Sequence, residues 1–346
     1  MAAGRIIPIR ALAAAPEASR QRLRRWTQAT FFAFFVLAPV FNVLRYDLPA
    51  GHAWLLGFEW HAGLDDLLCV SKVAALGAVG RIFGRVILPV FALGGLLMWA
   101  AWRWGRLYCG WLCPHFSVVE TINRLMLFAT GKHSVWDKKQ TPPWEPDGTP
   151  MPRDWRYWFA VVPAAIGFAF AWAVVGLTYL MPPFQVYGGL LNFTLLRWEV
   201  IFLCAATTVL TLEFLFARHL FCRYGCSVGI LQSLAWMSNR RALVVGTERS
   251  RLAECATCLD GQGSACDAVC PMRLKPRSIK RLMFACTQCA QCVAACATVQ
   301  TDNPGGGLLA WVQGEEARQL EGGFKAPRPP RASERGPVCG KGSGEN

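Results

Sequence analysis

Eight cysteines between residues 255 and 296 fall into two groups whose spacing can build metal clusters. The first group, CATCLDGQGSACDAVCP from Cys255, reads C-x2-C-x7-C-x3-C-P, and the second, CTQCAQCVAAC from Cys286, reads C-x2-C-x2-C-x3-C. An iron–sulfur cubane needs four thiolates converging on a compact inorganic core. A tight C-x2-C turn supplies neighbouring ligands, and in two-cluster ferredoxins the distant fourth cysteine of a run crosses to the other cluster. By that logic Cys255, Cys258, Cys266 and Cys296 hold one [4Fe–4S] cluster, and Cys286, Cys289, Cys292 and Cys270 hold the other. Paired C-x2-C motifs also build four-cysteine zinc ribbons; eight cysteines in this order, with Pro271 after the fourth, favour iron. The x7 interval is a departure. A widened first motif accompanies a three-iron cluster in some ferredoxins, but all eight thiols are present here and two cubanes are expected. The basic stretch MRLKPRSIKR (272–281) reads as a solvated helix near an anionic membrane surface, or else as a docking face for an acidic redox partner.

Four more cysteines lie in an internal repeat. GRLYCGWLCPHFSVVET, from Gly105, lies over RHLFCRYGCSVGILQSL, from Arg218, matching Cys109 with Cys222 and Cys113 with Cys226. A spacing of i, i+4 is expected to put both sulfurs of a pair on one side of a helix. Ordinary packing, a cycling dithiol and metal ligation all remain open, and soft thiolates suit Cu(I) and iron–sulfur chemistry alike. A redox or copper-handling role for Cys109, Cys113, Cys222 and Cys226, or a further metal centre there, is the reading preferred here. His115 and His219 flank the pairs and are either nitrogen ligands or interfacial side chains. Glu199 and Glu213 lie in an apolar segment, where a carboxylate is costly and marks the bundle interior or a proton path; Glu199, near its end, also reads as interfacial. Cys69 and Cys204 read as packing, and Cys339 as a free thiol. Without a CxxCH motif, and with His52 and His61 read as loop residues, haem is not expected.

These residues need a scaffold, and the composition says which. Of 346 residues 53% are hydrophobic and 17% charged, with 15 Trp and 21 Phe. That profile describes an integral membrane protein with a polar part attached. The net charge of +14 fits Lys and Arg gathered on one membrane side rather than nucleic-acid binding. Spanning takes roughly 20 mostly apolar residues, and four segments qualify: 26–44, about 86–102, 157–180 and 198–217. Six basic residues precede the first and eight occupy 103–156, against four in 45–85. Both termini and the 103–156 loop are therefore expected in the cytoplasm of a bacterium, with the spans in its inner membrane. The expected fold is a four-helix membrane bundle of two pseudo-repeated pairs with a C-terminal α+β two-cluster ferredoxin domain. Its parts are a cytoplasmic tail (1–25, with no cleaved signal peptide), the membrane domain (26–240), the ferredoxin domain (241–312) and a disordered tail (313–346). Residues 63–80, with Asp65, Asp66 and Lys72, read as an interfacial or re-entrant helix, and 141–153 as a Pro-rich linker.

The stretch from Tyr46 through LLGFEW, GRLYCGWLCP with Glu120 behind it, CRYGC followed by LQS, and the eight-cysteine block together resemble the FixG/RdxA-type cytochrome c oxidase accessory proteins over residues 26–300. More loosely they are similar to the NapH and NosR membrane ferredoxins. The first resemblance implies copper reduction or handling during oxidase assembly, with assembly factors as partners; the second implies quinol-linked electron delivery. The chain departs from the first family at Cys226–Ser227, where that family has Cys-Pro. It also departs in the widened first motif and in lacking a further span and extracytoplasmic domain. The expected activity is that of an oxidoreductase-type electron carrier, a cupric reductase or a quinol dehydrogenase component. A redox partner protein or quinone is expected to exchange its electrons.

Overall fold

The computed structural model describes residues 16–61, 77, 79–137, 140–248, 251–255, 258, 264–303 and 305–322. Cys69, Cys339, Asp65, Asp66, Lys72 and most of the expected re-entrant helix lie outside them. The first helix, α1 (Pro16–Leu37), is followed by turns and then a three-stranded antiparallel sheet of β1 (Leu44–Asp47), β2 (His52–Leu55) and β3 (Phe58–Trp60). Pro39 disfavours helical backbone at Ala38, so the first apolar segment does not run as helix to residue 44 as expected. Helix also begins ten residues earlier than the expected tail boundary. The sheet places His52 in β2, paired with Asp47 of β1 and with its ring 5.1 Å from that of His61, so His52 is not the loop residue expected.

Among the described residues, three helices are long and apolar enough to cross a membrane: α2 (Val79–Trp104), α5 (Trp155–Thr178) and α7 (Arg197–Ala217). The expected fourth, α1, carries Arg20, Arg22, Arg24 and Arg25 in its first half and falls outside that set. None of the apolar window of α2 is buried by protein, against 39% for α5. An apolar helix left this exposed needs a solvent other than water.

Between α2 and α5 stand a one-turn helix, α3 (Leu107–Trp111), and the amphipathic α4 (Pro114–Thr130). After α6 (Pro183–Leu191) and α7, a π-helical turn, Phe221–Gly225, leads into α8 (Ser227–Ser238). The repeat is therefore span, cysteine turn, helix, twice over. Its two halves pack reciprocally. Val118, Val119 and Ile122 of α4 pack with Ala165 and Ala169 of α5 and Phe214 of α7, while α8 lies against α2. Each half thus contributes its second helix to the other half's span, so the spans do not form the simple bundle expected.

The C-terminal unit pairs β4 (Val244–Thr247) with β5 (Leu309–Val312) in antiparallel register, with α9 (Ala265–Ala268) and α10 (Gln291–Val299) between them. It extends past the expected boundary at 312, because α11 (Glu315–Gly322) buries Ala317 in the same core as Val244 and Val312. The basic 272–281 stretch is not a solvated helix either. Met272 and Leu274 are core residues, and the buried Lys280 donates to the carbonyls of Trp236 (2.9 Å) and Asn239 (2.6 Å).

One polar hub ties α1, α4 and α10 together. Glu120 accepts from both guanidinium nitrogens of the buried Arg24, from Gln28 at 3.3 Å, and from Gln291. Removing the carboxylate strands a buried cation, and a broken buried pair costs about 3 kcal/mol or more. Glu120→Ala is expected to lower the thermal unfolding midpoint of the detergent-solubilised protein by several degrees. Glu120→Gln, which keeps an acceptor, should lower it less, and equal midpoints for all three proteins would show the hub to be dispensable.

Candidate metal centre and redox site

Among the described residues the eight cysteines line two pockets. Cys255, Cys258, Cys266 and Cys296 line one cavity, together with Arg277 and Leu308. Cys270, Cys286, Cys289 and Cys292 line a second, walled by Val245, Met272 and Leu274. Backbone amides donate to the sulfurs: Ala265 to Cys258 at 3.4 Å, Leu308 to Cys296 and Leu274 to Cys270, both at 3.3 Å. Such donors stabilise a thiolate and set cluster potential. Among the described residues no three His, Cys, Asp or Glu side chains converge tightly enough for a single ion. A four-thiol wall around a cavity is instead the arrangement a bulkier inorganic core requires, so the donor set fits a cubane at each position. Most of the widened x7 loop lies outside the described residues.

Burial pushes these thiols up: Cys266, Cys270 and Cys286 to about 12, the first also raised by Asp267 and the latter two by Cys289. Neutral thiols are what an apolar wall tolerates; metal binding must remove their protons, which couples loading to folding.

The membrane-face cysteines form one group next to the second cavity. Cys109 lies in α3, but Cys113 is the extended N-cap of α4, so the pair does not share a helix face as expected. Pro114 at the first helical position forbids helical backbone at Cys113. Cys222 and Cys226 repeat the break, with Cys226 equally extended although Ser227 replaces the proline. The Cys109 thiol donates to Gln232 of the other half at 3.4 Å. Burial raises the thiol of Cys113 to about 11, with Cys109 and Cys226 adding to it, and raises that of Cys222 through Cys113, Glu213 and Cys109 as well. Cys113 and Cys222 pack into the same core as Cys270 and Cys286. A Cβ at Gly110 would overlap the carbonyl oxygen of Thr287, and Trp111 Nε1 donates to the Gln288 carbonyl at 3.0 Å. The first cysteine turn is thus seated directly on the loop that carries Cys286 and Cys289.

Each of the two flanking histidines has a protein environment of its own. His115 stands 3.4 Å from Glu213, its ring against Trp172, Phe214 and Phe221. His219 is buried and held down to about 4, chiefly by burial and then by Arg273, Arg218 and Arg223. Glu199 caps α7, accepting from the Leu196 amide at 2.8 Å, and Cys204 is exposed on α7 rather than packed. Sequence reasoning missed Arg106, Gln232 and Gly229, which join the two halves. A buried arginine with no acidic neighbour in sequence carries no local signal.

A family described as a 4Fe-4S binding domain matches residues 85–133 and 198–243. The two matched stretches are the two copies of the repeat, each running from a span through a cysteine turn into the next helix. The chain is an iron–sulfur protein of ferredoxin type, with at least one [4Fe–4S] cluster and a role in electron transfer. No curated protein and no solved structure matches the chain.

His219 makes a pH prediction. A histidine whose folded value lies below its ordinary 6.5 contributes stability above pH 6.5 that is lost as the pH falls through about 4. The full shift corresponds to about 3 kcal/mol. The thermal midpoint should therefore fall between pH 7 and pH 5, and His219→Gln should flatten that fall; an unchanged acid profile in the variant would refute the assignment.

Proposed function

We propose that the chain is a membrane-anchored electron-transfer protein of two [4Fe–4S] clusters, one held by Cys255, Cys258, Cys266 and Cys296, the other by Cys270, Cys286, Cys289 and Cys292. The observation that carries this reading is the segregation of the eight thiols into two four-thiol cavities, the second in contact with the membrane-face cysteines. When bound, a cubane supplies reversible storage of one electron. The order of contacts runs from the first cavity to the second, then across the Thr287–Cys289 loop to Cys109, Cys113, Cys222 and Cys226. α10 joins the two cavities, since it carries Cys292 and Cys296. The substrate proposed at the four thiols is copper: Cu²⁺ takes one electron to give Cu⁺, which soft sulfur ligands prefer. A low-potential one-electron carrier protein reloads the chain. With the ferredoxin unit on the basic, cytoplasmic side of a bacterial inner membrane, this activity suits biogenesis of a copper-containing respiratory oxidase.

A second reading is favoured by one feature. The His115–Glu213 pair, ringed by Trp172, Phe214 and Phe221 at the end of α7, offers a proton acceptor where a quinol would have to give up protons with its electrons. On that reading the chain is a quinol-oxidising subunit.

Iron and acid-labile sulfide on the anaerobically purified protein test the first claim. About eight of each are expected for two cubanes, about half that in Cys296→Ala, and zinc in their place would refute it. Cys109→Ser and Cys222→Ser should retain the iron but lose copper reduction by the prereduced protein. Copper reduction at the wild-type rate in both, with rapid cluster reduction by a quinol analogue, would transfer the function to the second reading.

A further inference from the structure

Arg106 stands beside the first cysteine turn, reaches across to the second, and is only 1% exposed. It immediately precedes α3, where it is followed three residues later by Cys109. Its Nη2 donates to the carbonyl of Cys222, in the other half of the repeat, at 2.8 Å. The guanidinium lies in a notch made by Gly229, whose position admits no Cβ without overlap with Nη2. A Cβ at Gly105, beside it, would stand 3.2 Å from the side chain of Gln288, on the loop between Cys286 and Cys289. Two donors, Nε and Nη1, are buried and have no hydrogen-bond partner among the described residues. No carboxylate forms an ion pair with it among the described residues. A buried guanidinium without an anion is expensive; the groups around this one that can become anionic are the sulfurs of Cys109, Cys222 and Cys286.

The internal repeat sharpens the point. In the register that superposes Cys109 on Cys222, Arg106 falls on His219. His219 is buried and held neutral, so the pair of related positions carries one fixed charge instead of two. That charge belongs to the copy whose Trp111 and Gly110 meet the Thr287–Cys289 loop.

We infer that Arg106 is the fixed counter-charge between the second cluster site and the membrane-face cysteines, a positioning residue that raises the reduction potential of the site it faces and so draws electrons toward the membrane. The inference rests on the cluster assignment proposed above. A buried cation favours the more reduced, more negative state of a neighbouring centre, and net charge around a cluster is one of the determinants of its potential. The first cavity lies on the far side of α10 and feels this charge less.

The test is a redox titration, followed by electron paramagnetic resonance, of the full-length wild type, Arg106→Gln and Arg106→Lys in detergent, with iron counted in each. Arg106→Gln should shift one cluster's reduction equilibrium at least tenfold toward the oxidised form, 59 mV for one electron. The other cluster should stay in place and both should keep their iron. Arg106→Lys, which keeps the charge, should restore most of the shift. Unmoved potentials in Arg106→Gln with full iron, or equal shifts of both clusters, would overturn the inference and leave the cluster assignment standing. Loss of iron in the lysine as well as the glutamine variant would also overturn it, as a purely structural role. A wild type without clusters would instead refute the earlier assignment.

Discussion

The arrangement depends on one backbone contact. Gly110, inside the first cysteine turn, meets the Thr287 carbonyl so closely that no side chain fits between them. This brings the loop bearing Cys286 and Cys289 against the membrane-face thiols without an intervening layer of protein. The surrounding polar bonds serve the same junction: Gln28 donates to the Gly110 carbonyl at 3.2 Å, and Gln21 to that of Cys289 at 2.9 Å. Helix α1 therefore acts as a clamp. Its basic half grips the C-terminal unit and α4 through Glu120, while its apolar half, with Phe32, packs against α4 and α5.

Reciprocal packing explains why the cysteine turns come in two copies. A single span with a cysteine turn would expose the turn's unpaired backbone and thiols at the edge of the membrane. Two copies, each lending its following helix to the other's span, enclose all four thiols in one place. The cross-links between copies are side chains of different chemistry: Arg106 to the Cys222 carbonyl, Cys109 to Gln232, and His115 to Glu213. The repeat is thus similar in backbone and different in side-chain chemistry, and both copies meet the C-terminal unit: the first through Gly110 and Trp111, the second through Cys222 and Trp236.

How much of this could be read from sequence depends on whether the signal was local. The assignment of the eight thiols to two sets of four rests on a local signal, because tight C-x2-C turns leave few ways to distribute ligands. The repeat was legible too, from Cys109 over Cys222 and Cys113 over Cys226. The break inside each cysteine pair was not anticipated, although Pro114 announced it in the first copy; i, i+4 spacing alone suggested a continuous helix. The sheet over residues 44–60 was hidden by reading the first span too long. The 272–281 stretch misled because its charge was counted without its partners: Lys280 is buried under Trp236, 4.7 Å from the ring centre, and bonded to two carbonyls. Long-range partners of this kind, like those of Arg106, leave no trace in the neighbouring sequence.

The thiols of the C-terminal unit are built into its core. Cys270 and Cys286 belong to the same buried cluster as Trp236, Met272, Met283 and Val312, and Cys266 and Cys292 to that of Val245, Val293 and Leu309. A unit this small buries too little apolar surface to be stable by packing alone and gains most from a metal that ties distant segments together. The thiols that would be ligands also complete its core, and Cys113 and Cys222 belong to the same core as Cys270 and Cys286. Metal loading would therefore be coupled to folding of the unit, and the packing that encloses the four membrane-face thiols is shared with it.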